Sequence, residues 1–211
     1  SADALNYMAM AGWKTKDMLN GIEGIMYLAG ASGESLATVS DIVTDAITAF
    51  GMKAKDSSHF ADVLAVASSN ANTNVAMMGE TFKYVGAASG ALGYSVDDAA
   101  LAIGLMANSG IKASQAGTEL NSIFTRLATN TNGARSAVEE LGIKFFDSKG
   151  SARAYTEVLM EMRNATEGMT NKEKINFANT VAGTRAQAGL LAMLNATAKD
   201  FNKLKEAIED A

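Results

Sequence analysis

The chain has no proline and no cysteine, one histidine, one tryptophan and no long apolar run among its 211 residues. Ordinary usage near 5% would place roughly ten prolines in a chain this long, so their absence leaves glycine as the only strong helix breaker. Without cysteine there is no disulfide, no thiolate nucleophile and none of the commonest ligands of a structural zinc site. His59 alone makes no multi-histidine metal cluster, and any Ser/His/Asp triad would have to run through it. The longest uncharged apolar run, Ala99 to Ala107, is about half of the ~20 residues needed to cross a bilayer. No basic stretch precedes an apolar one at the N-terminus, so it does not read as a secretory signal, and the missing initiator Met points to an excised fragment. A net charge of −5 argues against a phosphate-binding surface.

What is present suits a folded helical protein. Hydrophobic residues make up 48% and charged residues 19%, far from the composition of disorder, and the length allows a real core. Alanine occurs 39 times and glycine 19 times, so more than a quarter of the side chains are a methyl group or less and helix axes can approach closely.

Helical periodicity divides the chain into about ten segments. One carries Leu19, Ile22, Ile25 and Leu28 and ends at the glycines 30 and 33. The next runs from Ser35 to Phe50 with Gly51 placed to cap its end. A third spans residues 57–69, and a turn-rich NANTN offers Thr73 as the cap of a fourth that Gly93 stops. Ser95 with Asp98 resembles a capping box that opens a fifth, ending at Ser109-Gly110, and Ser114 begins a sixth. Short helices follow from Ala134 to Leu141, from Tyr155 to Glu167, from Asn171 behind Thr170/Glu173, from Thr184 to Asn195 and through Phe201, Leu204 and Ile208. Ile143 to Asp147 is β-prone and precedes Ser148-Lys149-Gly150, so a minor β-hairpin is expected over residues 143–155. The fold class is therefore all-α, a compact array of short-to-medium antiparallel helices. A single domain over 1–211 is expected, and a sub-boundary, if the chain divides, falls near 130–150. Phe50-Gly51-Met52 recurs as Leu92-Gly93-Tyr94 at an offset of 42, with Leu141-Gly142-Ile143 as an echo. Either a common helix-end device or a duplication would produce this.

Little in the sequence carries chemistry. His59 sits at a helix start and reads as a surface residue. The carboxylates at Asp41/Asp45, Glu157/Glu161, Asp97/Asp98 and Glu139/Glu140 read as solvated faces and helix caps. Glycines 86, 90 and 93 match neither a dinucleotide fingerprint nor a P-loop and suit tight helix packing. Lys14/Lys16 and Lys172/Lys174 with Arg185 are small basic groups among acids, not a nucleic-acid patch. Twelve methionines, Met77-Met78 and Met160/Met162 among them, fill a core or offer an adaptable surface, and Trp13 reads as a packed anchor. No catalytic, cofactor-binding or metal-ligating residue is assigned.

The small-residue-rich stretch from Ser68 to Glu119 resembles the conserved core region of phage tail tape-measure proteins of the TP901 type. Ala9 to Leu19, Asp41 to Met52, Phe60 to Asn72 and Ala186 to Thr197 extend the resemblance over nearly the whole chain. The resemblance implies a structural segment that templates tail-tube assembly, sets tail length and leaves the lumen during genome delivery. It implies no cofactor and no enzyme. Its partners would be copies of itself in the tail lumen, tail-tube and tail-tip proteins and assembly chaperones, with no specific nucleic-acid binding and membrane contact only during ejection. It would reside in the virion tail, and in the host cytoplasm during assembly. The chain departs from typical members in lacking proline, for example at Thr156. Two other readings stand beside it: a peptidoglycan-cleaving enzyme, which would need a His/Cys/Glu constellation that this chain lacks, and a membrane-active or channel-forming module built on the apolar helices at 21–31 and 87–107.

Overall fold

A computed structural model describes residues 1–211 as twelve α-helices with no β-sheet. They are α1 (Ala2–Met10), α2 (Thr15–Ser32), α3 (Leu36–Phe50), α4 (Ser57–Asn70), α5 (Val75–Leu92), α6 (Val96–Asn108), α7 (Ala113–Thr129), α8 (Ala134–Glu139), α9 (Tyr155–Thr166), α10 (Asn171–Ala182), α11 (Gln187–Asn195) and α12 (Ala198–Glu209). The all-α expectation is borne out, with α1 as a helix that periodicity alone did not mark.

Local chemistry explains most boundaries. Ser1, Ser35, Asn74, Ser95, Thr170 and Thr197 each accept a backbone N–H in the first turn of the helix that follows. The cap of α5 is thus Asn74 and not Thr73. Helix ends use one recurring device. At Gly12, Gly51, Gly93, Gly110 and Gly142 the chain turns through positive φ. The N–H of the next residue then reaches the carbonyl five positions back: Trp13 to Met8, Met52 to Ile47, Tyr94 to Ser89, Ile111 to Met106 and Ile143 to Val138. This is the Schellman arrangement, in which the apolar residue after the glycine packs back on the helix it ends. At two of these corners the next turn is set as well, since Asp17 accepts the N–H of Lys14 at 3.0 Å and Asp56 that of Lys53 at 2.9 Å.

The expected hairpin over 143–155 does not form. The chain reverses there, but only one β-bridge joins Phe146 and Ala152. Asp147 closes the turn by accepting the N–H groups of Lys149 and Ser151, Ile143 and Phe145 are buried in the helical core, and α9 already begins at Tyr155. The β-prone residues are thus spent on burial, and a two-stranded ladder without a third strand has little to sustain it.

Packing follows a simple rule through α7. Odd-numbered helices stack in one row, α1 on α3, α3 on α5 and α5 on α7, while α2 on α4 and α4 on α6 form a second row. Successive members of a row begin about 40 residues apart, the period expected when helix pairs stack as repeats. The second half closes the far end of this array. There α10 packs on α7 and α8, α11 on α6, α7 and α9, and α12 lies across α4 and α6. One apolar cluster of 51 buried residues runs from Met8 to Ile208.

Glycine sets the spacing within the rows. A Cβ on Gly90 would lie 2.2 Å from the Ala49 carbonyl oxygen, so α5 and α3 touch backbone to backbone. Gly24 meets the backbone of Ser57 and Ser58 on α4 in the same way.

Where the array meets α9, Tyr94, Phe124 and Tyr155 form a triangle with ring centroids 4.8 to 5.8 Å apart. The Tyr155 hydroxyl reaches the Met193 sulfur, whereas the buried Tyr94 hydroxyl has no partner. Burial pushes both phenols above their ordinary range, with the neighbouring phenol and Asp98 adding at Tyr94. An unpaired buried hydroxyl costs about 1–3 kcal/mol. Tyr94→Phe is therefore expected to raise stability by about 1 kcal/mol, read as a higher midpoint in denaturant with unchanged slope.

Candidate functional site

A groove of about 640 Å³ is floored by α3 and walled by α1 and α5. Tyr7 and Met10 form one wall, Phe82 and Lys83 the other, and Asp41 and Asp45 lie one turn apart on the floor. No cation lies within 4.0 Å of either carboxylate, and Lys83 stands 3.7 Å from Glu80. Partial burial, then the neighbouring Asp41, hold the Asp45 carboxyl above the usual carboxylate range. The arrangement suits apolar or cationic groups and presents neither a nucleophile beside a base nor a metal-ligand set. No group of three or more His, Cys, Asp or Glu side chains is placed to hold a metal ion.

A second recess of about 420 Å³ lies between the starts of α6 and α9 and the end of α12. On its rim His59 Nε2 meets Asp97 Oδ2 at 3.1 Å, both side chains partly exposed. A histidine–carboxylate pair alone lacks the nucleophile a triad requires. Asp98 does something the sequence did not show. Ser95 Oγ accepts the Asp98 N–H, but the Asp98 carboxylate makes no return bond to the Ser95 backbone, so the capping box is half formed. Its Oδ1 instead accepts the Thr156 N–H at 2.8 Å, in the first turn of α9. That bond gives a physical reason for Thr156, since a proline there would have no N–H to offer.

Glu119 plays the same part for α11. It is buried, its Oε2 accepts the Gly189 N–H at 2.7 Å and its Oε1 accepts from Gln115 Nε2 at 2.9 Å. Neither Ala154 before α9 nor Ala186 before α11 supplies a side-chain cap. Carboxylates from the stacked helices supply the missing acceptors where the helix dipole favours negative charge.

Arginines complete the pattern at the other ends. Arg126 donates to Val181 and Thr180 at the end of α10, and Arg163 donates to Met193 at 2.6 Å and Ala196 at 2.7 Å at the end of α11, 4.6 Å above the Phe201 ring. Burial lowers the Arg163 pKa from its ordinary value. Sequence reasoning missed Glu119, Arg126 and Arg163. One signal was available for Glu119, which shares the apolar stripe of Ala116, Leu120 and Ile123, where a lone carboxylate needs a buried partner.

The remaining candidates are dispersed. Trp13 is a packed anchor, its ring over Gly21. Met78 and Met162 are buried, whereas Met77 and Met160 stay exposed. Lys174 reaches Asn195. Glu157 and Glu161 converge on Arg153, and Glu139 pairs with Arg135. The hydrogen bond from Arg153, then its charge, hold Glu161 below the ordinary glutamate value of 4.5. A depressed folded value means stability that is present above 4.5 and lost as pH falls through the folded value. Arg153→Gln is expected to flatten this acid limb by about 0.5–1 kcal/mol, as suits a partly exposed pair, in denaturant titrations at neutral and acid pH.

No helix is long and apolar enough to cross a membrane. The sequence pattern of phage-related minor tail proteins matches residues 1–183, which takes in α1 through α10. The chain belongs to the phage-related minor tail protein family. It is 32% identical over 208 residues to the tape measure protein of Pneumococcus phage Dp-1, covering 99% of this chain and 18% of that one. It is 27% identical over 165 residues to the probable tape measure protein of Escherichia phage P2, covering 77% of this chain and 20% of that one. The tape-measure resemblance read from the sequence is borne out. No solved structure matches. This minor tail protein chain therefore spans about a fifth of the length of these relatives, neither of which is named for a catalytic activity.

Proposed function

We propose that these 211 residues are a folded, non-enzymatic module of a tail tape measure protein, acting in tail-tube assembly, length determination and genome delivery. The observation that carries this reading is the combination of family membership with repeated chain reversal. The longest helices have 18 residues, or about 27 Å at 1.5 Å per residue, whereas the same chain drawn out as one helix would reach roughly 320 Å. A module built this way contributes surfaces and not length. Its partners are copies of itself in the tail lumen, tail-tube and tail-tip proteins and assembly chaperones, in the virion tail and, during assembly, the host cytoplasm. We further propose that 1–211 is a single domain, because the caps on α9, α10 and α11 come from α6 and α7 across the 130–150 region.

In-frame deletion of the segment, with tails measured by electron microscopy, tests the reading. Failed or deranged assembly is expected. Viable phage whose tails shorten by about 1.5 Å per deleted residue would mean the segment is part of the length-setting shaft.

A further inference from the structure

Stacked helix pairs bury a continuous core only where each pair has a neighbour on both sides, and the terminal pairs of such arrays carry a polar outer face. The far end of this array is closed by α8 to α12. The near end is not closed, and its exposed surface sets large apolar side chains among the charged and polar Asp3, Asn6, Lys16 and Glu23. Of the ten large apolar side chains that stand exposed, six lie on α1 and α2. On α2, Gly21, Gly24, Ile25 and Leu28 are buried on the side that meets α4. Leu19 and Met26, two turns apart on the opposite side, are 71% and 58% exposed, with Tyr27 beside them at 57%. Gly30 continues that side, with nothing within 4 Å of where a Cβ would sit. On α1, Ala4 and Met8 are buried against α3, while Met10 is 82% exposed.

Leu19 and Met26 therefore lie where the next member of the α2 row would sit, and Met10 stands exposed at the end of α1, at the edge of the groove that it walls with Tyr7. We propose that this face is the seat of a further helix pair of the same roughly 40-residue kind, contributed by the same polypeptide, so that the array continues beyond α1. The occupant follows from continuity. The rows repeat at a fixed period and touch through small residues, and a pair of the same kind extends both rows at once. The relatives, of which this chain spans 18% and 20%, have ample chain to supply one. Here the proposal rests on the family reading, but its test reads a contact and not tail assembly, so the two fail separately.

Methionine oxidation by dilute peroxide gives a direct footprint. Met10 and Met26 are compared between the 211-residue chain and the full-length polypeptide, with Met160, on α9 away from the face, as the internal reference. In the full-length polypeptide the rates at Met10 and Met26 are expected to fall at least tenfold relative to Met160, independently of concentration. Cross-links from Lys16 are expected to map to a segment of the same polypeptide outside residues 1–211, within a stretch of about 40 residues, one repeat length. Leu19→Lys should restore oxidation of Met10 and Met26 in the full-length polypeptide and leave the melting of the 211-residue chain unchanged. Equal rates in the two polypeptides overturn the proposal, as do cross-links that map elsewhere. Protection that grows with concentration in the 211-residue chain, with a doubled mass by light scattering, overturns it in favour of a second copy.

Discussion

Gly90→Ala is expected to destabilise the chain by about 3 kcal/mol, lowering the melting temperature by about 6–12 °C for a chain of this size. The added methyl would sit 2.2 Å from the Ala49 carbonyl oxygen and 3.3 Å from the Phe50 Cα. These are backbone atoms near the end of α3, so no side-chain rotation relieves the contact, and α3 and α5 must separate by about 1 Å along a row whose members are packed at native density. The gain in helix propensity, about 1 kcal/mol for alanine over glycine, works against this loss and is smaller. Gly30→Ala isolates that gain. Gly30 lies inside α2 with open space around it, so the same chemical change should stabilise the 211-residue chain by about 0.5–1 kcal/mol. Opposite signs for the two variants in parallel thermal melts are the expected result; a Gly90→Ala protein as stable as its parent would mean that the rows are spaced by something other than glycine.

What could be read from the sequence was local. Ser35 and Gly51 bracket α3 as expected, and Thr170 with Glu173 caps α10 in both directions, because each signal acts within a turn of its own position. The glycine corners at 51, 93, 110 and 142 were visible too, and the structure adds 12 to the set. The same letters do not always build the same object. Gly142-Ile143-Lys144 is followed by Asp147 as Gly51-Met52-Lys53 is by Asp56, yet one Asp closes a loop and the other begins a helix. Two bulky rings, Phe145 and Phe146, lie between, and Phe145 is drawn into the core instead of turning with a helix. Pairing of helices two apart was not legible, since heptad-like stripes show that a face is buried and not what covers it. The charged caps were hidden for the same reason: Asp98 and Glu119 act on Thr156 and Gly189, 58 and 70 residues away.

Those distant caps set the second large effect. Glu119→Ala is expected to cost about 2–4 kcal/mol. The variant leaves the Gly189 N–H unpaired at the start of α11, removes the acceptor for Gln115 and opens a small void beside Met106, whose Cε lies near the Gly189 backbone. Glu119→Gln keeps an acceptor for the Gly189 N–H, presents its NH2 to Gln115, which can meet it by turning its own amide oxygen inward, and gives up the charge facing the helix dipole, so it should cost about 1 kcal/mol. The contrast separates a capping role from simple filling of space, since a Glu119→Leu variant fills the volume but still leaves the Gly189 N–H unpaired and should cost more than Glu119→Gln. Because α11 also packs on α6, α7 and α9, loosening its first turn should be felt across the half of the chain that closes the array. Hydrogen exchange is expected to accelerate in α9 and α11 of the alanine variant, with α1 and α3 unchanged under native conditions. Loss confined to α11, with α9 protected as in the parent, would mean that the two helices open independently and that the closing half is not held as a unit.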